Sequence, residues 1–387
     1  MQPLYSSLER VKAALEHREA DRVPLDIGGS VVTGIHEQTY MELREYLGLP
    51  PTKQEPVDPR QKLAEVEADF RERLNVDVAS VKPLLPAEAL QFGQEGEYFT
   101  HVDEWGITWY MPVEEGLHYV MRKHPLAEID TIAELEKYPF PDPQHPVRFK
   151  YMADQARHYF QVEKTAYILG RMSAGILEVA LWLRGYENFY TDMIVNKKFA
   201  EALLEKLTEI KLKYWEKALE TVGENVLVVL ECDDLADQNG LLISPAIYRE
   251  LIKPRHARIF NFIKKKARTK VYILYHTCGA VKELIPDLIE SGIDALNPVQ
   301  VSAKGMDTRE LKKLFGRDIT FWGGGIDTQQ VLPYGTEQEI RDEVKRRIDD
   351  LAPGGGFIFA AVHNIEAGVP PRNIMAMWEA LQEYGRY

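Results

Sequence analysis

The sequence predicts an α/β protein built as a single (β/α)8 TIM barrel. Short, wholly apolar runs alternate with amphipathic helical segments along its 387 residues. Strands that are apolar on both faces belong to parallel sheets covered by helices. About eight such runs can be counted. Polar residues capable of chemistry cluster just after them, where a parallel barrel carries its active site.

The elements follow in order. Ser6 and Glu9 have capping-box spacing, and Leu8, Val11 and Leu15 recur on one helical face. Val23-Pro24-Leu25-Asp26-Ile27 reads as a first short strand with proline near its start. Leu63, Val66, Phe70 and Leu74 mark a helix that leads into a second strand at 76–81. Residues 93–125 depart from this pattern. There Tyr98, Phe99, Trp105, Ile107, Trp109 and Met111 sit among polar residues in rough alternation, which predicts a small β excursion packed across one end of the barrel. Within 136–148, Tyr138-Pro139-Phe140-Pro141-Asp142-Pro143 predicts an extended connector inside the same domain, because its prolines block a regular helix. Residues 1–387 are therefore read as one domain.

The remainder is more regular. Strands are expected at 166–170, 226–230, 271–275, 295–297, 319–322 and 357–360. One intervening helix passes through Glu178 and Leu183. Another starts at Ser244-Pro245, an N-cap followed by an N1 proline, and ends at Pro254. Val281, Leu284, Ile285, Leu288 and Ile289 form a stripe in which Pro286 predicts a break or kink and Gly292 a stop. Leu311, Leu314 and Phe315 precede a stop at Gly316. Thr336 and Glu339 repeat the capping box ahead of Ile340, Val344, Ile348 and Leu351. The triplets at 323–325 and 354–356 read as tight glycine turns. A doubly wound open sheet is the competing arrangement. Its G-x-G-x-x-G fingerprint is absent, since Thr328 holds the third glycine position.

Composition narrows the function. A hydrophobic content of 45% with 28% charged residues is that of an ordinary globular protein. A net charge of −13 argues against a nucleic-acid or anionic-membrane partner. Two cysteines cannot build a disulfide framework, which fits a reducing, cytoplasmic setting. The first residues lack the basic start and apolar stretch of a signal peptide, and no apolar run approaches the roughly 18 residues of a spanning helix.

His276-Thr277-Cys278-Gly279 follows the strand at 271–275. In extended chain, positions 276 and 278 point to the same side with Cα atoms about 6.5 Å apart. An imidazole and a thiolate so placed can close on one zinc ion. A buried cysteine beside a hydrogen-bonded histidine fits the same spacing. After 226–230 come Glu231, Cys232, Asp233, Asp234 and then Gln238. Asp233-Asp234 also suits a helix cap, and Cys232 a small buried residue. Arg171 ends the strand at 166–170, and Asp26 lies at the first strand. Asn297 ends another, where bonding to loop backbone is the plainer role. Asp327 follows the glycine triplet. His363 and Asn364, with Glu366 nearby, follow the last strand; His363 suits a core position and a ligand position equally.

Several stretches acquire a common meaning together: Glu9-Arg10-Val11 with Asp21-Arg22-Val23-Pro24; Asp233-Asp234-Leu235 with Gln238 and Leu242-Ile243-Ser244-Pro245; His276-Thr277-Cys278-Gly279; Asn297-Pro298-Val299-Gln300; Gly324-Gly325-Ile326-Asp327-Thr328-Gln329; and Pro370-Pro371-Arg372-Asn373-Ile374. Through them nearly the whole chain resembles the uroporphyrinogen decarboxylase superfamily, and within it the zinc-dependent methylcobamide methyltransferase branch. The resemblance implies a TIM barrel and a zinc ion held by His276 and Cys278. In that branch a late cysteine completes the protein ligands. The corresponding segment here, Ala360-Ala361-Val362-His363-Asn364, has none. His363 occupies about that position and is expected as third ligand, with Glu231, Cys232 or Asp234 as alternatives. The arginine-containing motif with which uroporphyrinogen decarboxylases hold a polycarboxylate tetrapyrrole is missing from Asp26-Ile27-Gly28-Gly29-Ser30-Val31-Val32, although Arg171 could serve one carboxylate.

The resemblance thus implies a methyltransferase that moves a methyl group between a corrinoid and a small thiol or methylated substrate. No D-x-H-x-x-G-type cobalamin segment is present, so the corrinoid is expected on a separate corrinoid protein. Zn2+ would sit on His276, Cys278 and His363, with Cys232 as the alternative. Asp234, Glu231 and Arg171 are the catalytic candidates, and Asp26, Gln238, Asn297 and Asp327 the substrate contacts. The superfamily suggests a monomer or homodimer. Two rivals remain. One is a cofactor-free decarboxylase using Arg171 and Asp26. The other is a non-catalytic corrinoid or small-molecule binding protein.

Overall fold

The computed structural model describes residues 5–52, 55–114 and 116–387, so residue 115 of the β excursion lies outside the described residues. Its strands are β1 (Val78–Val81), β2 (Leu90–Glu95), β3 (Tyr98–Asp103), β4 (Thr108–Pro112), β5 (Val120–Lys123), β6 (Ala166–Leu169), β7 (Val228–Cys232), β8 (Tyr272–His276), β9 (Ala295–Asn297), β10 (Thr320–Trp322) and β11 (Phe357–Ile358). Seven of them form one parallel sheet in the order β1-β6-β7-β8-β9-β10-β11, with helices in the crossovers. Such regular succession follows from strands too apolar to face water on either side.

Alternation sorts their side chains. Val78, Ile168, Val228, Leu230, Leu274, Ala295, Trp322 and Ile358 form a single cluster running from β1 round to β11. The intervening Ala79, Tyr167, Val229, Ile273, Tyr275, Leu296, Phe321 and Phe357 join the surrounding helices in the larger core.

The first expected strand, at 23–27, is not a regular strand. Leu25 makes one parallel bridge, to Phe359. Asp26 N donates to Phe359 O and Phe359 N donates to Pro24 O, both at 2.8 Å, while Asp77 N donates to Leu25 O at 2.8 Å on the other side. The segment therefore bonds to the flanks of both edge strands without a ladder. Pro24 has no N–H to give, and the chain turns at once where Asp26 Oδ1 accepts from Gly29 N at 2.8 Å.

The excursion is a four-stranded antiparallel sheet ordered β2-β3-β4-β5. It docks on the main body through Trp109, whose ring meets Trp182 edge-on at 5.5 Å. Both capping boxes close as spaced, at Ser6 and Thr336. Pro286 opens Ile285–Ser291 after a 3-10 turn at Lys282–Leu284, which is the expected break. The segment begun by Ser244 becomes a π turn at Tyr248–Ile252 before Pro254 starts Lys253–Lys266. The helix expected from Leu63 is shorter, Ala68–Leu74, because Leu63 is engaged in bridges with His36 and Asp58. Among the described residues no helix is long and apolar enough to cross a membrane.

Candidate active site

His276 is the last residue of β8, buried, and its ring is fixed from behind. Asn297, directly beside it at the end of β9, donates from Nδ2 to Trp322 O at 2.9 Å. Its Oδ1 must therefore face the imidazole, 2.6 Å from His276 Nδ1. An amide oxygen can only accept, so Nδ1 carries the proton and Nε2 presents its lone pair. Cys278 Sγ lies 3.5 Å from that Nε2. The loop carrying the thiol is held by Cys278 N donating to Asp234 Oδ1 at 3.0 Å and by Gly279 N donating to Gln300 Oε1 at 2.8 Å. Gly279 adopts φ +87, and a Cβ there would lie 2.3 Å from Asp237 O, so no other residue fits.

His363 comes from the loop after β11. Its backbone sits at φ +62, a left-handed conformation that non-glycine residues seldom adopt. The neighbours enforce it. Val362 N donates to Ile326 O at 3.0 Å, and Asn364 Oδ1 accepts from Gly34 N at 2.7 Å. The His363 ring centroid lies 5.1 Å from that of His276. One ligand atom from each of His276, Cys278 and His363 lies within 4.8 Å of the others. Burial, reinforced by the Arg171 charge, pushes His276 down to about 3; burial and His276 do the same to His363. Both rings are neutral near pH 7, as ligation requires. Burial, together with the charges of Asp234 and Glu178, holds the Cys278 thiol well above its ordinary value. A bound divalent cation would reverse that balance. Two bare imidazole nitrogens and one thiol within reach of one point fit a zinc ion with a position left open.

His276 and His363 line a cavity of about 340 Å3, whose walls also include Arg171, Glu178, Trp182 and Asp234. The excursion supplies its roof through Leu90, Asp103 and Trp105.

The structure sorts the sequence candidates. Arg171 and Asp234 reach the cavity, and Asp234 Oδ1 is 4.0 Å from His276 Nε2. Glu231 does not. Strand β7 runs two residues further than expected, so Glu231 lies inside it, opposite Tyr275 and on the helix-facing side. There its buried carboxylate pairs with Lys211 Nζ at 3.0 Å and accepts from Trp215 Nε1. Cys232 faces the other way but stands apart from the three clustered ligand atoms. Its thiol donates to Glu178 Oε2 at 3.2 Å. Asp233 is a cap: its two oxygens accept from Leu177 N at 3.0 Å and Glu178 N at 2.8 Å, and His256 Nε2 is 2.9 Å away. Asp26 is buried with both oxygens engaged, by Trp322 Nε1 and Gly29 N at 2.8 Å each, and it organises a turn rather than facing the cavity. Asp327 likewise closes its own turn, accepting from Gln329 N at 3.0 Å. Gln238 is exposed and clasps Gln329 at 2.5 Å. Asn297 acts on His276 instead of lining the cavity.

The sequence places Glu178 only within a helix. It sits in the first turn of Ile176–Arg184, at the same end of the sheet as His276, and burial with the charges of Asp234 and Asp233 raises its carboxyl well above the usual range. Its distance from the other motifs hid it; its place just beyond a strand end was the available signal.

Comparisons with known proteins converge on one family. The uroporphyrinogen decarboxylase (URO-D) family model matches residues 6–384. A methylated-thiol–coenzyme M methyltransferase of Methanosarcina mazei is 23% identical over 205 residues, 53% of this chain and 50% of that protein. A methylcobamide:CoM methyltransferase of Methanosarcina barkeri is 28% identical over 221 residues, 56% and 58% of the two chains. A uroporphyrinogen decarboxylase of Thermus thermophilus is 29% identical over 186 residues, 47% and 48% of the two. The matched region spans about half the length of these curated relatives. A solved methyltransferase from Methanosarcina mazei shares the fold over 98% of this chain and 99% of its own, with a TM-score of 0.67 at 20% identity.

Proposed function

The chain belongs to the uroporphyrinogen decarboxylase family, and we propose that within it the protein is a zinc-dependent methyltransferase, moving a methyl group between a corrinoid on a partner protein and a small thiol or methylated substrate. The observation that carries this reading is the convergence of His276, Cys278 and His363 at the C-terminal end of the sheet. The names of two matched relatives, both methyltransferases acting with coenzyme M, support it. We assign the activity to one cytoplasmic domain acting as a monomer or homodimer.

When bound by these three residues, zinc would lower the pKa of a substrate thiol and keep it as thiolate. In the transfer itself the sulfur–carbon bond forms and the carbon–cobalt bond breaks. Cobalt keeps the electron pair, and the thiol's proton leaves to a base. The protein's own groups set the conditions. Asn297 keeps His276 in the ligating tautomer. Asp234 anchors the Cys278 loop through one oxygen and, 4.0 Å from His276 Nε2, is placed to take that proton. Trp105 and Trp182 help to enclose the substrate.

Zinc-replete protein mixed with methylcobalamin and a small thiol should convert the corrinoid spectrum, and Cys278→Ser should abolish the conversion. Zinc-replete protein that leaves methylcobalamin unchanged with every thiol and every corrinoid carrier offered would overturn the proposal. A cofactor-free decarboxylase is the second reading, favoured by the matches to named uroporphyrinogen decarboxylases. Carbon dioxide release by metal-free protein would establish it. The engagement of both Asp26 oxygens weighs against it.

A further inference from the structure

Two buried carboxyls of this molecule are held in opposite ways. Glu231 is paired with Lys211 Nζ at 3.0 Å and accepts from Trp215 Nε1. Glu178, on the cavity wall with His276, His363 and Asp234, has no such cation. Among the described residues it makes no ion pair. Its Oε2 accepts from Gly175 N at 3.3 Å and from Cys232 Sγ at 3.2 Å, while its Oε1 makes no hydrogen bond. The side chain is nonetheless firmly placed. A Cβ at Gly175 would lie 2.0 Å from Cys232 O, so glycine lets the helix Ile176–Arg184 begin hard against β7. Asp233 then accepts from Leu177 N at 3.0 Å and Glu178 N at 2.8 Å. A helix N-terminus favours an anion, but Asp233 already fills that role. The other titratable groups around Glu178 are Arg171, Cys232, Asp234, Tyr186, Tyr275 and Cys278. Of these only Arg171 is cationic, and burial with the charges of Asp234 and Asp233 outweighs it, holding Glu178 protonated near pH 7.

The rest of the wall leaves little else to react. Arg60, Lys82 and Arg148 are answered by Asp58, Glu65 and Glu104. Val31, Val57, Leu85, Leu90, Trp105 and Trp182 supply apolar surface, which suits an uncharged substrate. A carboxyl already protonated is a proton donor rather than a base. Among methylated substrates, a thiolate is the anion of an acid with a pKa of about 8.5 and departs without help. A phenoxide or alkoxide is the anion of a weaker acid, with a pKa of about 10 or more, and needs a proton as it leaves.

We propose that Glu178 is a general acid of this site and extends its activity to uncharged methyl ethers, protonating the ether oxygen as the methyl group passes to a reduced corrinoid. The carbon–cobalt bond forms with the electron pair of Co(I), which becomes Co(III). The carbon–oxygen bond breaks, its electron pair stays on oxygen, and the Glu178 proton completes the alcohol or phenol. Solvent then reprotonates the carboxylate. This role rests on the methyl-transfer reading.

Two arms test it. Infrared spectra of zinc-reconstituted protein should show a protonated-carboxyl band near pH 7, where an ordinary glutamate with a pKa of about 4.3 is ionised. The band should fade at alkaline pH and be missing from Glu178→Gln. Unmodified protein without such a band at pH 7, or a band that survives Glu178→Gln, overturns the proposal. In the turnover arm, cob(I)alamin is paired with anisole or with 4-cyanoanisole, whose phenoxide is the weaker base. Glu178→Gln should lower kcat for anisole by about 100- to 10,000-fold, and for 4-cyanoanisole by much less, with KM little changed. Demethylation by the unmodified protein should also fall at alkaline pH, as the infrared band does. Equal losses for the two ethers would make Glu178 a positioning residue and refute its role as acid. Protein that methylates a thiol from methylcobalamin but leaves both ethers intact refutes the ether activity and leaves methyl transfer standing. Protein that does neither refutes the methyl-transfer reading and this role with it.

Discussion

Replacing Asn297 by alanine tests whether His276 is built as a ligand. The amide is wholly buried and makes two bonds, 2.6 Å to His276 Nδ1 and 2.9 Å to Trp322 O. Removing it leaves a buried N–H and a buried carbonyl unanswered, which should cost about 2 kcal/mol of stability. The imidazole would then be free to turn and to exchange tautomers, so that Nε2 no longer presents a fixed lone pair. Loss of such an outer partner typically lowers metal affinity by about 10- to 100-fold, equivalent to about 1.4–2.8 kcal/mol. Zinc affinity is measured by competition against a chromophoric chelator, on protein shown to be folded by circular dichroism. Asn297→Ala should release zinc at correspondingly lower chelator concentration. Unchanged affinity in a folded variant would refute the argument that Asn297 orients a metal ligand, and with it the assignment of Nε2 as the ligating atom.

Two further outcomes follow from buried charge. Lys211→Met removes the partner of Glu231 inside the core and should cost about 3–5 kcal/mol in chemical denaturation; a loss below about 1 kcal/mol would show that Glu231 is not held as described. His101 is fully buried on β3, and both of its ring nitrogens lack partners. Burial, and then Arg60, push its pKa from 6.5 down to about 4. The folded ring is thus neutral while the unfolded chain takes up a proton near 6.5. Its contribution to stability is complete above that pH and is lost as pH falls toward about 4, by up to roughly 3 kcal/mol. His101→Leu should flatten the stability profile between those limits, and identical profiles for the two proteins would contradict this account.

Much of the architecture was readable because its strands are short, apolar and punctuated by glycine. The eighth expected strand forms no ladder. Val23–Ile27 has strand composition, but Pro24 removes a donor and Asp26 turns the chain, and composition alone does not separate one bridge from a ladder. The end of β7 is illegible in the sequence for a related reason. Residues 226–230 are apolar on both faces, so no alternation marks where the strand stops, and Glu231, expected just after the strand, continues its outward-facing row. His276, Cys278 and His363 stood out because histidine and cysteine at strand ends are uncommon. Asp26, Asp233 and Asp327 are equally conspicuous, yet Asp26 and Asp327 accept from backbone of their own turns and Asp233 from the distant Leu177 and Glu178 N–H groups. A carboxylate's position can be read from sequence; whether its lone pairs are already taken depends on chain segments far away. Arg171 and Glu178 show the converse, since their chemical character comes from what surrounds them.

The most direct test of the proposed metal site is X-ray absorption at the zinc edge on protein reconstituted with zinc. The account predicts a first shell of two imidazole nitrogens at about 2.0–2.1 Å and one protein sulfur at about 2.3 Å, with a light-atom ligand in the open position, and loss of the sulfur scatterer in Cys278→Ser. A spectrum with only oxygen neighbours, or one unchanged by Cys278→Ser, would contradict it.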